Sequence, residues 1–280
     1  MTYSIVGFDP QTKELGIAVA SKFLSVGAVV PFAKAGVGAI ATQSWANLDY
    51  GKHGLEMLEN GFSPQEVLNE LVRNDTNSAS RQVGIVDVQG RSVTFSGSDC
   101  YDWAGGLAGE NYAVQGNILV DHSTVEAMKS TFLQSQGTLA ERLLSSLLAG
   151  DAAGGDSRGK QSAALLIVKE NGSYGGYNDR YIDLRVDDHE DPVVELARLL
   201  KLQKLYFEPT LPEDIVLIEG TLAEELQGLL YENGHLQRDL TAFDDLLDAV
   251  QSYHLIENFD ERVQPRGMID HKVFDYMRIK

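Results

Sequence analysis

Thr2-Tyr3-Ser4-Ile5-Val6-Gly7-Phe8-Asp9, followed one turn later by Leu15-Gly16-Ile17-Ala18-Val19-Ala20-Ser21-Lys22, is the stretch on which the reading of the whole chain rests. Ser4, Val6 and Phe8 alternate with Tyr3, Ile5 and Gly7, and Ile17 to Ala20 form a short apolar run. Two strands buried on at least one face are predicted. The link Asp9-Pro10-Gln11-Thr12 has turn chemistry, because proline fixes φ and aspartate bonds its own downstream backbone. The pair is therefore a β-hairpin whose first residue, once Met1 is removed, is a threonine. A small residue after Met1 permits that removal, and a free N-terminal threonine carries a hydroxyl nucleophile and an amine base on one residue. Threonine at this position is also common where no chemistry is attached, so the rest of the chain has to decide.

The chain has 280 residues, 43% hydrophobic and 23% charged, which suffices for one large domain and a small one. A formal net charge of -18 repels phosphate backbones and anionic lipid heads, so neither nucleic acid nor membrane is expected as a partner. Cys100 is the only cysteine, which excludes an internal disulfide and a thiolate metal cluster. No segment approaches the roughly 18 apolar residues of a membrane span, and the N-terminus lacks a basic region followed by an apolar one. A soluble, cytoplasmic protein is expected.

Beyond the hairpin, Val26 to Gln43 is β-branched and glycine-punctuated and predicts two more strands. A helix is expected from Asn47 to Glu59 with Leu48, Leu55 and Leu58 on its buried face, stopped at Asn60-Gly61. Ser63-Pro64-Gln65-Glu66 is a capping box opening a second helix. Gln82 to Val88 and Arg91 to Ser96 alternate around Gln89-Gly90 as a hairpin, and Tyr112 to Val120 reads as a strand. Ser123-Thr124-Val125-Glu126 and Thr138-Leu139-Ala140-Glu141 open two further helices, the second closed by Gly150. Ser162 to Val168 and Tyr174 to Tyr177 are expected to pair across Asn171-Gly172, with Ile182 to Val186 as one more strand. Paired helices between runs of hairpins cannot build a parallel sheet, so the fold class is α+β, a four-layer α-β-β-α sandwich. After Asp187 a charged link, a helix from Val193 to Phe207 and the proline-marked Glu208 to Pro212 lead into a small second domain.

The segment from Leu148 to Ser162 is glycine-rich and carries two familiar patterns. Gly155-Asp156-Ser157-Arg158-Gly159 matches a nucleophile elbow, but that motif needs a strand before the serine and a helix after it, the reverse of the order here. Gly154 to Lys160 matches most of a P-loop, yet Gln161 stands where the metal-binding hydroxyl belongs. Two readings stay open: a loop that lets layers approach, or a pocket wall with Asp156, Arg158 and backbone N–H groups facing a polar substrate. Thr138 and Thr221, each after a glycine, read as helix caps, and Asp187 to Asp191 as a solvated linker with no metal assigned.

Several of these stretches carry a family resemblance: Thr2 to Val6, Ala35-Gly36-Val37-Gly38-Ala39-Ile40-Ala41-Thr42-Gln43, Arg81 to Asp87, Val114-Gln115-Gly116-Asn117, and Ala153 to Ala164. Over about residues 1–195 the chain resembles the bacterial family catalogued as domain of unknown function 1028, itself similar in fold to N-terminal nucleophile hydrolases. The remainder resembles a peptidoglycan-binding-like domain. The resemblance implies an N-terminal domain at 1–195, a helix and linker at 196–212 and a small, mainly helical domain at 213–280. Lys34 stands as far after Thr2 as the lysine that proteasome-type members pair with their threonine. The aspartate of that pattern falls at Ala18, with Ser21 and Lys22 as substitutes.

The expected function is hydrolysis of a small amide without metal or organic cofactor. Thr2 is the nucleophile and its α-amine the base, with Lys34 and Ser21 beside them. Gln43, Asn117, Asp156, Ser157, Arg158 and Gln161 are the candidate substrate-binding residues, Gln43, Asn117 and the loop N–H groups serving as oxyanion donors. The alternative is a non-catalytic binding protein whose C-terminal domain takes a glycan or protein partner. A homo-oligomer is expected in either case.

Overall fold

The computed structural model describes residues 2–237 and 242–279. The expected removal of Met1 concerns a residue outside them. The chain divides into two compact units, Met1–Arg198 and Leu199–Lys280.

The first unit opens with β1 (Thr2–Phe8) and β2 (Leu15–Ser21), then β3 (Pro31–Lys34), β4 (Gly38–Ser44), α1 (Asp49–Glu59) and α2 (Pro64–Arg73). Strands β5 (Arg81–Asp87), β6 (Ser92–Ser96), β7 (Gly105–Gly109) and β8 (Tyr112–Asn117) follow. After them come α3 (Ser123–Gln134), α4 (Leu139–Ala152), β9 (Ser162–Val168), β10 (Arg180–Val186) and α5 (Pro192–Phe207), whose residues from Leu199 on belong to the second unit. The strands form two antiparallel sheets, a six-stranded one in the order β10-β9-β2-β1-β8-β7 and a four-stranded one in the order β3-β4-β5-β6.

The two sheets face each other. Val6, Ile17 and Val19 of one share a core with Ala39, Ala41 and Val86 of the other. The outer face of the six-stranded sheet takes α3 and α4, where Leu139, Leu143 and Phe132 close over Gly7. Val67, Leu68 and Leu71 of α2 and Leu58 of α1 cover Ile40, Val83 and Ile85 on the outer face of the other sheet. Every residue of β1 and β2 is consequently buried. This explains why the opening hairpin shows only weak alternation, since a strand covered on both faces has no solvent side to mark with polar residues.

Several local expectations are corrected. Helix α1 buries Tyr50, Gly51, Gly54 and Leu58, while Leu48 is exposed. The helix lies so close to β3 that a Cβ on Gly51 would meet the Phe32 ring at 2.1 Å, and a leucine-lined face could not approach so far. Ser123 is the first residue of α3 rather than its cap, because Asp121 Oδ1 accepts the Ser123 N–H at 2.7 Å. Helix α4 runs past Gly150 to Ala152. Tyr174–Gly176 is a 3-10 turn, and β9 pairs instead with β10, the hairpin closing where Lys169 N–H donates to Asp179 O at 2.9 Å. Val26–Ala28 is likewise a 3-10 turn before β3. Strand β7 was not anticipated, because a run of glycines carries no β signal of its own and pairs only where β8 presents a free edge.

The two capping boxes that do form are those at Ser63 and Thr138. Replacing Thr138 with alanine removes the acceptor for the Glu141 N–H. The expected result is a loss of about 1 kcal/mol, measured as a lower urea midpoint at unchanged slope.

In the second unit β11 (Ile215–Leu217) pairs with β12 (Met268–Asp270), beside α6 (Gly220–Glu232), α7 (Phe243–Ile256) and α8 (His271–Ile279). Leu226, Leu230, Val250, Tyr253, Phe259 and Phe274 form its core. Among the described residues no helix is long and apolar enough to cross a membrane.

Candidate functional site around Thr2

Thr2 begins the innermost hairpin and is 6% exposed. The register sets Tyr3 against Ala20 and Thr2 against Asn117, so the end of β2 and the end of β8 flank it. Its hydroxyl lies 3.1 Å from the Ser21 hydroxyl, and either oxygen can be the donor. Sheet stacking brings the end of β4 over the same point, where Gln43 Nε2 donates to the Thr2 carbonyl at 3.2 Å and Asn117 Nδ2 reaches it at 3.4 Å. These two amides thus hold the threonine backbone and do not stand free as oxyanion donors, which corrects the role expected for Gln43 and Asn117.

Sequence reasoning missed the network behind them. Ser4 Oγ donates to Gln43 Oε1 at 2.7 Å, and Gln115 Nε2 donates back to Ser4 Oγ at 2.6 Å. Gln82 Oε1 accepts from both Gln43 and Asn117 at 2.8 Å. All five side chains are buried between the sheets, and burial of so many amides is tolerated only because they satisfy one another.

The glycine-rich loop closes the opposite side. Gly154, Gly155 and Gly159 have positive φ, the left-handed region that a side chain would strain. Asp156 is buried and anchors the loop: Oδ2 accepts the Lys22 N–H at 2.7 Å and Oδ1 the Arg158 N–H at 2.9 Å. Arg158 donates to the Lys22 carbonyl at 3.1 Å. The N–H groups of Gly154, Gly155, Ser157 and Gly159 donate to backbone carbonyls, so these four do not point into open space as oxyanion donors. Ser157 is exposed, and Gln161 binds Asp188 at 3.1 Å. The loop therefore packs on Lys22 through Asp156 and Arg158, while Ser157 and Gln161 turn away.

Lys34 is not brought to Thr2. It lies at the end of β3 opposite Gly38, the far end of β4 from Gln43, and its ammonium pairs with Glu59 at 2.5 Å. A fixed spacing in sequence cannot say where the chain turns. The 3-10 turn and short β3 between β2 and β4 send Lys34 to the opposite edge.

A cavity of about 100 Å³ opens beside Ser21, lined by Tyr3, Asp151, Asp156, Gly159 and Lys160. The Tyr3 hydroxyl donates to Asp151 at 3.0 Å, and Lys160 bridges Asp151 at 2.7 Å and Asp191 at 2.9 Å. Hydrogen bonds to Asp151 and Asp191 raise the Lys160 ammonium above its ordinary value. Burial raises the Tyr3 phenol well above its ordinary value, with the Asp151 charge and hydrogen bond adding to it and Asp156 adding less. A folded-state value above the unfolded one leaves stability intact below about pH 10 and removes it as the pH climbs beyond that point. Wild-type stability is therefore expected to fall as the pH is raised above about 10 in urea titrations, and Tyr3→Phe to flatten that decline while costing about 1 kcal/mol at pH 7.

Residues 2–196 match the family model described as "Family of unknown function (DUF1028)", and residues 206–277 the one described as "Putative peptidoglycan binding domain". Among solved structures, the crystal structure of protein SPO2555 from Silicibacter pomeroyi, which carries the same DUF1028 model, is similar with a TM-score of 0.66 and 28% identity. The match covers 80% of this chain and 92% of that one. Anbu (ancestral beta-subunit) from Yersinia bercovieri is matched over 72% of this chain and 94% of its own, at 11% identity and a TM-score of 0.33. No curated protein matches the chain.

Proposed function

The chain belongs to the DUF1028 family, with a peptidoglycan-binding-like domain behind it, and from that membership and the geometry around Thr2 we propose that it is an N-terminal nucleophile hydrolase of a small amide. The observation that carries the reading is the Thr2 hydroxyl at the start of the innermost strand, 3.1 Å from Ser21, which lines a cavity of about 100 Å³. The order of helices on sheet, sheet on sheet and sheet on helices supports an α-β-β-α sandwich of the N-terminal nucleophile type.

In the proposed reaction Thr2 Oγ1 attacks the amide carbonyl carbon and its hydroxyl proton passes to the α-amine. An α-amine has a reference pKa of about 7.7 to 8.0, so near neutrality an unprotonated fraction is present to accept it. Collapse of the tetrahedral intermediate breaks the C–N bond, the ammonium returns the proton to the leaving amine, and water then hydrolyses the Thr2 ester. Ser21 orients the hydroxyl. The cavity beside it admits a group of only a few heavy atoms, and Asp156 and Arg158 shape its wall by fixing the loop. Lys34, at the other edge, has no part.

The match over residues 206–277 favours a glycan partner for the second unit, whatever Thr2 does. The hydrolase reading and that of a non-catalytic binding protein on the same fold separate on intact mass and hydrolysis. Purified protein is expected to begin at Thr2, to lose its N-terminal side chain to periodate, which cleaves a free 1,2-amino alcohol, and to release amine from a panel of small N-acyl amides. Retention of residues before Thr2 in all molecules would remove the base and sink the hydrolase reading.

A further inference from the structure

Gln82, in the middle of the sheet stack, is fully buried and hydrogen-bonded at both ends of its carboxamide. Nε2 donates to the Gly116 carbonyl at 2.6 Å and to Ser96 Oγ at 2.6 Å, while Oε1 accepts from Gln43 Nε2 and from Asn117 Nδ2, each at 2.8 Å. A carboxamide has two donor hydrogens and two acceptor lone pairs, and here each is used. Turning this amide over would set N–H groups against N–H groups and oxygen against the Gly116 carbonyl, so its orientation is fixed.

The two donors on Gln82 Oε1 are the same two that reach the Thr2 carbonyl. Asn117 Nδ2 has two hydrogens, and with one held by Gln82 the other is directed at Thr2. Gln43 Nε2 divides its two among Gln82, Thr2 and, at 3.4 Å, the Gln115 carbonyl. The direction of the Thr2 carbonyl is set by the torsion about Cα–C. Clamping that carbonyl therefore fixes how the amine and the Oγ1-bearing Cβ stand relative to β1 and to Ser21.

We infer that Gln82 is a positioning residue of the Thr2 site, aiming the Gln43 and Asn117 amides at the Thr2 carbonyl. The inference rests on the reading of Thr2 as nucleophile. It predicts a defect in the chemical step with no change in binding, since Gln82 itself lies behind the site and lines no part of the cavity.

The test uses the full chain and p-nitrophenyl acetate, with the acetylated residue located by peptide mass mapping. Thr2 Oγ1 attacks the ester carbonyl, the bond to the aryl oxygen breaks, p-nitrophenolate leaves and the hydroxyl proton goes to the α-amine. Wild type is expected to be acetylated on the N-terminal peptide at Thr2. Gln82→Met is expected to lower the maximal acylation rate about a hundredfold at unchanged half-saturating concentration. Ser96→Ala, which leaves one hydrogen of Gln82 only the Gly105 carbonyl at 3.4 Å, lowers it severalfold and decides the matter if Gln82→Met does not fold. Thr138→Ala, destabilised at a distant helix cap, keeps the wild-type rate. Wild-type acylation in folded Gln82→Met or Ser96→Ala, or an equal loss in Thr138→Ala, overturns the inference while leaving the nucleophile intact. Absence of acetyl-Thr2 in the wild type overturns the nucleophile reading and this inference with it.

Discussion

Thr2→Ala is expected to lower kcat/KM on any amide the chain hydrolyses by about 10⁴ to 10⁶, with the fold and the urea midpoint nearly unchanged. Alanine keeps the α-amine, the β1 ladder and the carbonyl that Gln43 and Asn117 hold, and removes the oxygen 3.1 Å from Ser21 together with a methyl. The variant therefore separates nucleophile from scaffold. Thr2→Ser restores the oxygen on a side chain with one methyl fewer, which loosens χ1 because the β-branch that stiffens it is gone. It is expected to retain activity to within about tenfold. Hydrolysis that survives in Thr2→Ala would place the reaction elsewhere, and equal loss in both variants would point to packing around the methyl instead of the hydroxyl.

The second large effect lies in the other unit. Arg262 and Asp270 are 1% and 0% exposed and form a buried ion pair at 2.7 Å. The guanidinium also donates to the Leu205 carbonyl at 2.8 Å and the Lys204 carbonyl at 2.9 Å, while Asp270 accepts from Thr210 Oγ1 at 2.6 Å and the Lys272 N–H at 2.8 Å. Burial pushes the Asp270 carboxyl up, but the bonds from Thr210, Arg262 and Lys272 outweigh it and hold the carboxyl below its usual range. A depressed folded value gives stability that is present above about pH 4 and lost as the pH falls through the folded value.

Arg262→Met leaves that carboxylate buried without its partner and is expected to cost about 3 to 5 kcal/mol. That loss is a large part of what a unit this size possesses. Both tryptophans, Trp45 and Trp103, lie in the first unit, so their fluorescence follows that unit. Hydrogen exchange is the suitable measurement. Amides of α6, α7 and α8 should lose protection in Arg262→Met while those of β1 and β2 keep theirs. Arg262→Met combined with Asp270→Leu should recover part of the loss, because the stranded charge is gone. Unchanged protection in the single variant would mean that water reaches the pair.

Much of this was legible locally. The turn chemistry of Asp9 and Pro10 and the apolar run Ile17 to Ala20 announce the hairpin, and the capping boxes at Ser63 and Thr138 announce α2 and α4, because each signal acts within a few residues. Ser123 misled for the same reason: Asp121, two residues earlier, competes for the same N–H. Tyr174 to Tyr177 look like a strand by composition, yet pairing went to β10, where Ile182 and Val186 are buried.

That a threonine opens the central hairpin, that hairpins and helix pairs alternate, and that a second unit follows a charged, proline-marked link are all readable from residue order alone, because each signal is local. Ser21, Gln43 and Asn117 were expected at that threonine and do meet it, whereas Gln82 and Gln115 behind them were decided by the stacking of the sheets. Gln43, Gln82, Gln115 and Asn117 are polar residues at alternating strand positions, a pattern that reads as a solvent face until two sheets stack and close it. Lys34 matched a sequence spacing and was carried to the far edge, because spacing along a chain does not survive the turns between strands. Side-chain periodicity is a local property, whereas the pairing of two sheet faces depends on contacts far apart in the chain, and the Thr2 site was built by the second.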